Sequence, residues 1–274
     1  MKVLIYNNKG KDANEVCLKK LTESLINQSI EYKIIEDKDL SLSYNVDAIF
    51  VLGGDGTLLY LNEFVNKNEI PVIGINTGKL GFLSEFERDE VVTSVELLKK
   101  GELNKDFRSA IEVVYEGKTY VALNDAFVQR VYTEETGCMV TDVNVSINGI
   151  DISNVKGDGI IISTPTGATA YSFSAGGSIL APDVNAFIIT PIAAHAFNQR
   201  PIVYSADAEY KVTITGRAFV GLFADGKFIG NLQKGESFIV KKAKNQTVFL
   251  RRKDFNFFKR LRQKLKKEDG VYND

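Results

Sequence analysis

Over its first hundred residues the chain alternates short apolar runs with helical patterns, and then the alternation stops. The apolar runs are Lys2 to Tyr6, Tyr32 to Ile35, Ala48 to Leu52 and Pro71 to Ile75, with one helical pattern ending near Asn27 and another running through Phe64. Strand, helix and strand in repetition make the rhythm of a parallel sheet, because a parallel pair needs a crossover long enough to hold a helix. Past Lys99-Lys100-Gly101 the stretches Ser109 to Tyr115, Tyr120 to Val131, Val140 to Ile147, Gly159 to Ser163, Tyr210 to Ile214 and Phe238 to Val240 read as strands. The expected fold is an α/β domain with a parallel sheet over 1–100 and an all-β antiparallel sandwich over 101–250. The tail FNFFKRLRQKLKK, within 251–274, places Phe258, Leu261 and Leu265 on one helix face among basic residues. That helix is expected to pack back on the first domain and complete it; binding to a membrane surface is the alternative.

With 34 basic against 35 acidic residues and a formal charge of −1, the chain has no global field to hold a nucleic acid. Any anion must be held locally. Cys17, Cys138 and the single histidine, His195, show neither zinc-ligand spacing nor a disulfide framework. The apolar run from Val3 to Tyr6 is too short for a signal-peptide core, and no run reaches the roughly 18 apolar residues of a membrane span. The expectation is a cytoplasmic protein with no nucleic-acid or membrane partner.

After the run DAIFVL come Gly53, Gly54, Asp55, Gly56 and Thr57, and then the helix-compatible LLYLNEFV. Strand, glycine turn and helix start coincide. Glycines let the backbone approach a phosphate chain, and N–H groups at a helix start favour an anion. The loop is not a Walker A motif: Gly117-Lys118-Thr119 has Glu112 where the earlier glycine belongs. Asp55 is the odd member, since a carboxylate among phosphates repels them unless it serves a metal or accepts a proton. A plain Asp-Gly turn is its structural alternative.

Two further clusters carry polar chemistry inside β-prone sequence. In Leu123-Asn124-Asp125 an amide and a carboxylate interrupt an apolar pattern; they suit the mixed donors and acceptors of a nucleoside, or a simple bulge or turn. The run from Lys156 to Ser174 sets hydroxyls behind the apolar strand Ile160 to Ile162 and ends in Tyr171, which offers a base a flat face. Asp158 stands just before that strand, where it can accept from a ligand hydroxyl or amide. An ST-turn with a helix cap is the other reading. His195, in an Ala-rich stretch, reads as structural.

In their order, GGDGT, LND, GDGIIISTPTGATAYSFSAGG and TPIAAHAFNQRPIV resemble the motifs of bacterial-type NAD kinases, from about Ala48 to Val203, and Asp225-Gly226 fits as well. Lipid kinases and some phosphofructokinases share the first loop, and the longer second signature separates the families. The resemblance implies transfer of the γ-phosphoryl group of ATP, or of polyphosphate, to the adenosine 2′-hydroxyl of NAD, giving NADP. It implies Asp55 as catalytic base, with Gly54, Gly56 and Thr57 in the same loop and Phe82 close to the dinucleotide. Asn124 and Asp125 fall on the ribose and adenine side, and Asp158 near the nicotinamide end. Thr169, Ala170, Tyr171 and Ser174 surround the adenine and ribose, with Lys156, Thr166 and Ala193 at the pocket edges. A divalent metal is implied with the triphosphate, Mg²⁺ first and Mn²⁺ second, with no protein ligand named, and so is a homo-oligomer, commonly a tetramer. On this reading 1–100 is the phosphate-loop domain for ATP and NAD, and 101–250 binds NAD.

The sequence departs from the family pattern at Ala168, where Ser or Thr is usual, at Ser178, and in the AAHAF segment. The rival readings are a lipid kinase, favoured only by the basic tail helix, and a non-catalytic NAD-binding sensor.

Overall fold

The computed structural model describes residues 1–78, 81–131, 140–196 and 198–268. Cys138 and the final residues of the tail lie outside them. The chain forms two compact units, Met1–Phe107 with Thr247–Asp274, and Arg108–Gln246.

The first unit opens with β1 (Lys2–Asn7), α1 (Val16–Asn27), β2 (Glu31–Ile35), β3 (Ala48–Gly53), α2 (Asp55–Lys67), β4 (Val72–Asn76), β5 (Phe86–Glu87), α3 (Val91–Lys100) and β6 (Leu103–Arg108). The second unit contains β7 (Ile111–Tyr115), β8 (Lys118–Ala122), β9 (Asp125–Arg130), β10 (Thr141–Ile147), β11 (Ile150–Gly157), β12 (Gly159–Ser163), α4 (Tyr171–Ser174), β13 (Ala186–Ile192), β14 (Ile202–Ser205), β15 (Tyr210–Ile214), β16 (Val220–Ala224), β17 (Lys227–Leu232) and β18 (Ser237–Lys242). The chain then returns to the first unit with β19 (Thr247–Arg252) and α5 (Phe257–Glu268).

In the first unit the strands run β2-β1-β3-β4-β19-β6, with β5 also beside β4. The pairs of β1 with β2 and β3, of β3 with β4, and of β4 with β5 and β19 are parallel. β3 and β4 are buried along their whole lengths, as central parallel strands covered on both faces must be. Gly101, at φ 67°, ends α3 after Lys99 and Lys100. Asp12 holds the start of α1 by accepting the Cys17 and Leu18 N–H groups, each at 3.0 Å.

The second unit is two antiparallel sheets, β11-β10-β15-β18-β7-β8 and β14-β13-β12-β9-β16-β17, enclosing one apolar core. Alternating burial along β7 and β10 marks strands with one covered face. β12 is buried throughout because the turn and α4 that follow it cover its outer face.

Three expectations change. The pattern breaks expected near 100 and 250 fall after Phe107 and Gln246, because β6 and β19 both belong to the first sheet. The stretch Tyr120 to Val131 is two strands, since Leu123 and Asn124 form the link by which the chain leaves one sheet of the sandwich for the other. On α5 the face turned inward carries Phe257, Arg260, Leu261, Lys264 and Leu265, while Phe258 is 64% exposed. Arg260 pairs with Glu85 at 3.8 Å and the Lys264 ammonium lies 5.5 Å over the Phe82 ring, so cations share the docking with the apolar stripe.

Candidate active site

The glycine loop is built by a fully buried strand running into a helix. β3 ends at Gly53 and α2 begins at Asp55, after the extended Gly54. A Cβ at Gly53 would run into the Thr57 side chain, so this glycine serves packing. At Gly54 and Gly56 a Cβ would meet nothing within 4 Å. Those two glycines instead open the floor of a cleft of about 600 Å³. Tyr6, Asn8 and Lys11 line it from the end of β1, Thr57 and Tyr60 from α2, and Asn76, Thr77 and Gly78 from the end of β4. The cleft therefore lies at the carboxyl ends of neighbouring parallel strands, where open α/β sheets take ligands. Asn8 Nδ2 donates to Thr57 Oγ1 at 2.9 Å, and Gly78 N–H donates to Asn76 Oδ1 at 3.1 Å.

Asp55 starts α2 with its carboxylate against the chain at 81–84. It accepts the backbone N–H groups of Phe82 at 2.6 Å, Leu83 at 3.1 Å and Ser84 at 3.4 Å. A side chain at Gly81 would overlap this carboxylate. Loop and carboxylate thus interlock, and Phe82 stands beside Asp55.

In the second unit, β9 pairs with β12 in a register that sets Asp125 opposite Ser163 and Gln129 opposite Gly159. Gly159 admits no side chain because a Cβ would strike the Val128 carbonyl. Asp158, just before β12, pairs with Arg130 Nε at 2.9 Å. Past β12, a tight turn over Gly167–Thr169 leads into α4. The Tyr171 ring stands edge-on to Phe127 at 5.0 Å, and its hydroxyl donates to Gln129 Oε1 at 3.4 Å. Burial, then the charges of Asp158 and Asp125, raise the Tyr171 hydroxyl above its ordinary range. Asp125 is 4% exposed; burial, with the neighbouring Asp225 charge second, pushes its carboxyl up to about 7. The arrangement combines hydroxyl, amide and carboxyl groups with an aromatic ring, which is the equipment for a nucleoside.

The model of the ATP-NAD kinase N-terminal domain matches residues 5–103, and that of the C-terminal domain matches 128–252. The chain belongs to the ATP-NAD kinase family. It is 33% identical over 264 residues to the NAD kinase of Fusobacterium nucleatum, covering 96% of each chain. It is 36% identical over 231 residues to that of Carboxydothermus hydrogenoformans, covering 84% of this chain and 82% of that one. Among solved structures it is similar to an NAD kinase from Archaeoglobus fulgidus in complex with ATP, at TM-score 0.78 and 25% identity, over 99% of this chain and 100% of that one. These matches favour the kinase over the lipid-kinase and sensor alternatives.

Within this NAD kinase the residues singled out from sequence fall into three groups. Gly54, Asp55, Gly56, Thr57 and Phe82 gather at the start of α2. Asn124, Asp125, Thr169, Ala170 and Tyr171 gather around the end of β12. Lys156, Asp158 and Ala193 lie together where β11 meets the turn after β13: His195 N–H donates to the Lys156 carbonyl at 2.9 Å, and Asp158 N–H to the Ile192 carbonyl at 2.9 Å. Thr166 is 7% exposed with its hydroxyl 3.5 Å from Arg108 Nη1, whereas Ser174 is exposed at the end of α4. His195 itself is exposed. The sequence reading missed Tyr6, Asn8, Lys11, Tyr60, Asn76, Thr77 and Gly78. Asn8, Asn76, Thr77 and Gly78 carried a signal: NNKG and NTG stand at the ends of β1 and β4, the same strand-end position that drew notice to GGDGT, whereas Tyr6, Lys11 and Tyr60 lie outside both motifs.

Proposed function

We propose that this kinase transfers the γ-phosphoryl group of ATP to the adenosine 2′-hydroxyl of NAD, with Asp55 as the base that takes the hydroxyl proton. The observation that carries this reading is the carboxylate of Asp55, held by three backbone N–H groups and set between Gly54 and Gly56, the two glycines that line the cleft. A carboxylate offers about four acceptor positions, so three N–H donors leave one for a hydroxyl. As the proton passes to Asp55, the 2′-oxygen bonds to the γ-phosphorus. The bond from that phosphorus to the β,γ-bridging oxygen breaks, and ADP leaves with the electron pair. Gly54, Gly56 and Thr57 take phosphate oxygens at the positive end of α2. Asn124, Asp125, Asp158, Thr169, Ala170 and Tyr171 hold the dinucleotide, with Lys156, Thr166, Ser174 and Ala193 at the edges and Phe82 beside the reacting ribose. The units accordingly serve as a phosphate-loop domain and an NAD-binding domain.

No cluster of three or more His, Cys, Asp or Glu side chains among the described residues could hold a metal ion. The divalent ion, Mg²⁺ or Mn²⁺, is assigned to the donor on substrate grounds, because such an ion commonly binds through phosphate oxygens and few carboxylates and so travels on the triphosphate. Polyphosphate presents the same chain of phosphates and is the alternative donor. A homo-oligomer, a tetramer by family likeness, is supported by the end strands β11 and β14, which expose Ile150, Ile152, Val203 and Tyr204. A cytoplasmic setting is supported by the free thiol of Cys17, and no described helix is long and apolar enough to cross a membrane.

The deciding experiment incubates the chain with NAD, ATP and Mg²⁺ and reads NADP with an NADP-specific dehydrogenase, beside Asp55→Asn. NADP from the wild type alone supports reaction and base together. No NADP under varied donors and metals would overturn the reading.

A further inference from the structure

Between β16 and β17, Asp225 (φ 48°) and Gly226 (φ 76°) make a two-residue turn of the left-handed kind that hairpins prefer. A turn asks nothing of the Asp225 side chain. Yet its Oδ2 accepts the Leu123 N–H at 2.6 Å, and its Oδ1 accepts those of Asn124 at 2.7 Å and Asp125 at 3.3 Å. These are charge-assisted bonds across about a hundred residues of sequence.

The opposite side of the same link is held as well. Thr164 Oγ1 donates to the Leu123 carbonyl at 2.6 Å, and Thr164 N–H donates to the Asn124 carbonyl at 2.8 Å. A Cβ at Gly167 would overlap that second carbonyl. Both N–H groups and both carbonyls of Leu123-Asn124 are therefore engaged, the former by one carboxylate and the latter by Thr164. The arrangement has a cost. Burial raises Asp225 to about 6 against the pull of its N–H donors, and its charge lifts Asp125 further. An Asn-Gly pair would make the same hairpin without that repulsion.

We propose that Asp225 is a positioning residue for the acceptor nucleotide, fixing the backbone link from which Asn124 and Asp125 meet the nucleoside. The inference rests on the function proposed above. It assigns to the Asp-Gly pair of the β16–β17 turn a part in the KM for NAD that a hairpin turn alone does not have.

The test is steady-state kinetics on the full chain with NAD and MgATP, for wild type, Asp225→Asn, Asp225→Ala and Thr164→Val, with thermal melting in parallel. Asp225→Asn keeps the preferred turn but sets an NH₂ against a backbone N–H, so the KM for NAD should rise about tenfold while kcat stays within about twofold. The KM for ATP should not move. Asp225→Ala should raise the KM for NAD further, and Thr164→Val should raise it by releasing the Leu123 carbonyl, since valine keeps the backbone N–H that holds the Asn124 carbonyl. The groups facing Asp125 are Asp225 and Tyr171, and Tyr171 stays neutral across the range in which Asp125 titrates. Losing the Asp225 charge should therefore move the limb of the kcat/KM profile that Asp125 governs to lower pH. A folded Asp225→Asn with wild-type KM for NAD and an unmoved profile overturns the inference, because that is what a hairpin role alone gives. Should neither Asp225 variant fold, a wild-type KM in Thr164→Val overturns it instead. A wild type that makes no NADP overturns the proposed reaction and is told apart by that.

Discussion

Asp55 and Phe82 stand 27 residues apart in sequence, yet the Asp55 carboxylate accepts the Phe82 backbone N–H at 2.6 Å. The bond ties the first turn of α2 to the loop that precedes β5. The orientation of the carboxylate is thus set by backbone groups rather than by another side chain. In Asp55→Asn one oxygen remains to accept, the NH₂ faces an N–H donor, and no proton can be taken from a hydroxyl. The expected result is a fall in kcat of at least ~10², the ordinary scale for loss of a general base. Coupled measurement of NADP formation checks it, and near-normal turnover would remove Asp55 from the role.

Tyr171 should act on binding rather than on the chemical step. Its ring is fixed edge-on by Phe127, which itself stacks on Phe223 at 4.8 Å. A fixed ring gives its stacking energy before the transition state is reached, so Tyr171→Ala should raise the KM for NAD about fivefold with little change in kcat. Unchanged saturation by NAD would show that the ring is not in the pocket.

The buried carboxyl pair gives stability a defined pH dependence. Asp125 titrates near 7 in the folded chain against 3.8 ordinarily, and Asp225 near 6. Between those limits the folded state holds more protons than the unfolded one, so stability falls as pH rises through the window and levels off above it. Asp125→Asn removes this burden. In the ligand-free protein it should raise Tm at pH 8 relative to wild type by at least ~2 °C, and the difference should vanish near pH 4. Melting curves at the two pH values decide it; a gap that persists at pH 4 would assign the effect to something other than titration.

The strand, glycine turn and helix of the first loop were legible because all three signals lie within one short stretch, and β12 was legible because Ile160 to Ile162 make an unbroken apolar run. What depended on distant partners was not. Asp225-Gly226 carries only a local turn signal, and nothing near it reports that its carboxylate ends up against Leu123. The pattern of Tyr120 to Val131 shows β-propensity on both sides of Leu123-Asn124 but not that the two sides belong to different sheets. On α5, Phe257 and Phe258 are adjacent aromatics, and helical spacing alone assigns either one to the inward face. β19 was missed because its apolar core is short and it ends in Arg251-Arg252, which reads as surface.

Arg251 shows why that last reading fails. It is 1% exposed, with Nε 2.6 Å from Asp106, Nη1 3.3 Å from Glu85 and its guanidinium 4.2 Å over the Phe255 ring. Burial still raises the Glu85 carboxyl, even against the opposing pull of Arg251 and then Arg260. In Arg251→Ala, Glu85 loses its main counter-charge where its side chain is 5% exposed, and only the longer contacts to Arg252 and Arg260 remain. The expected loss at pH 7 is about 3 to 5 kcal/mol, seen as a lower Tm. Without that partner Glu85 titrates higher still, and protonation relieves it, so the destabilisation should shrink as pH falls toward 5. Melting of Arg251→Ala at pH 7 and pH 5 tests both parts. A wild-type Tm at pH 7 would mean that the aromatic packing, and not the ion pair, holds β19 in the sheet.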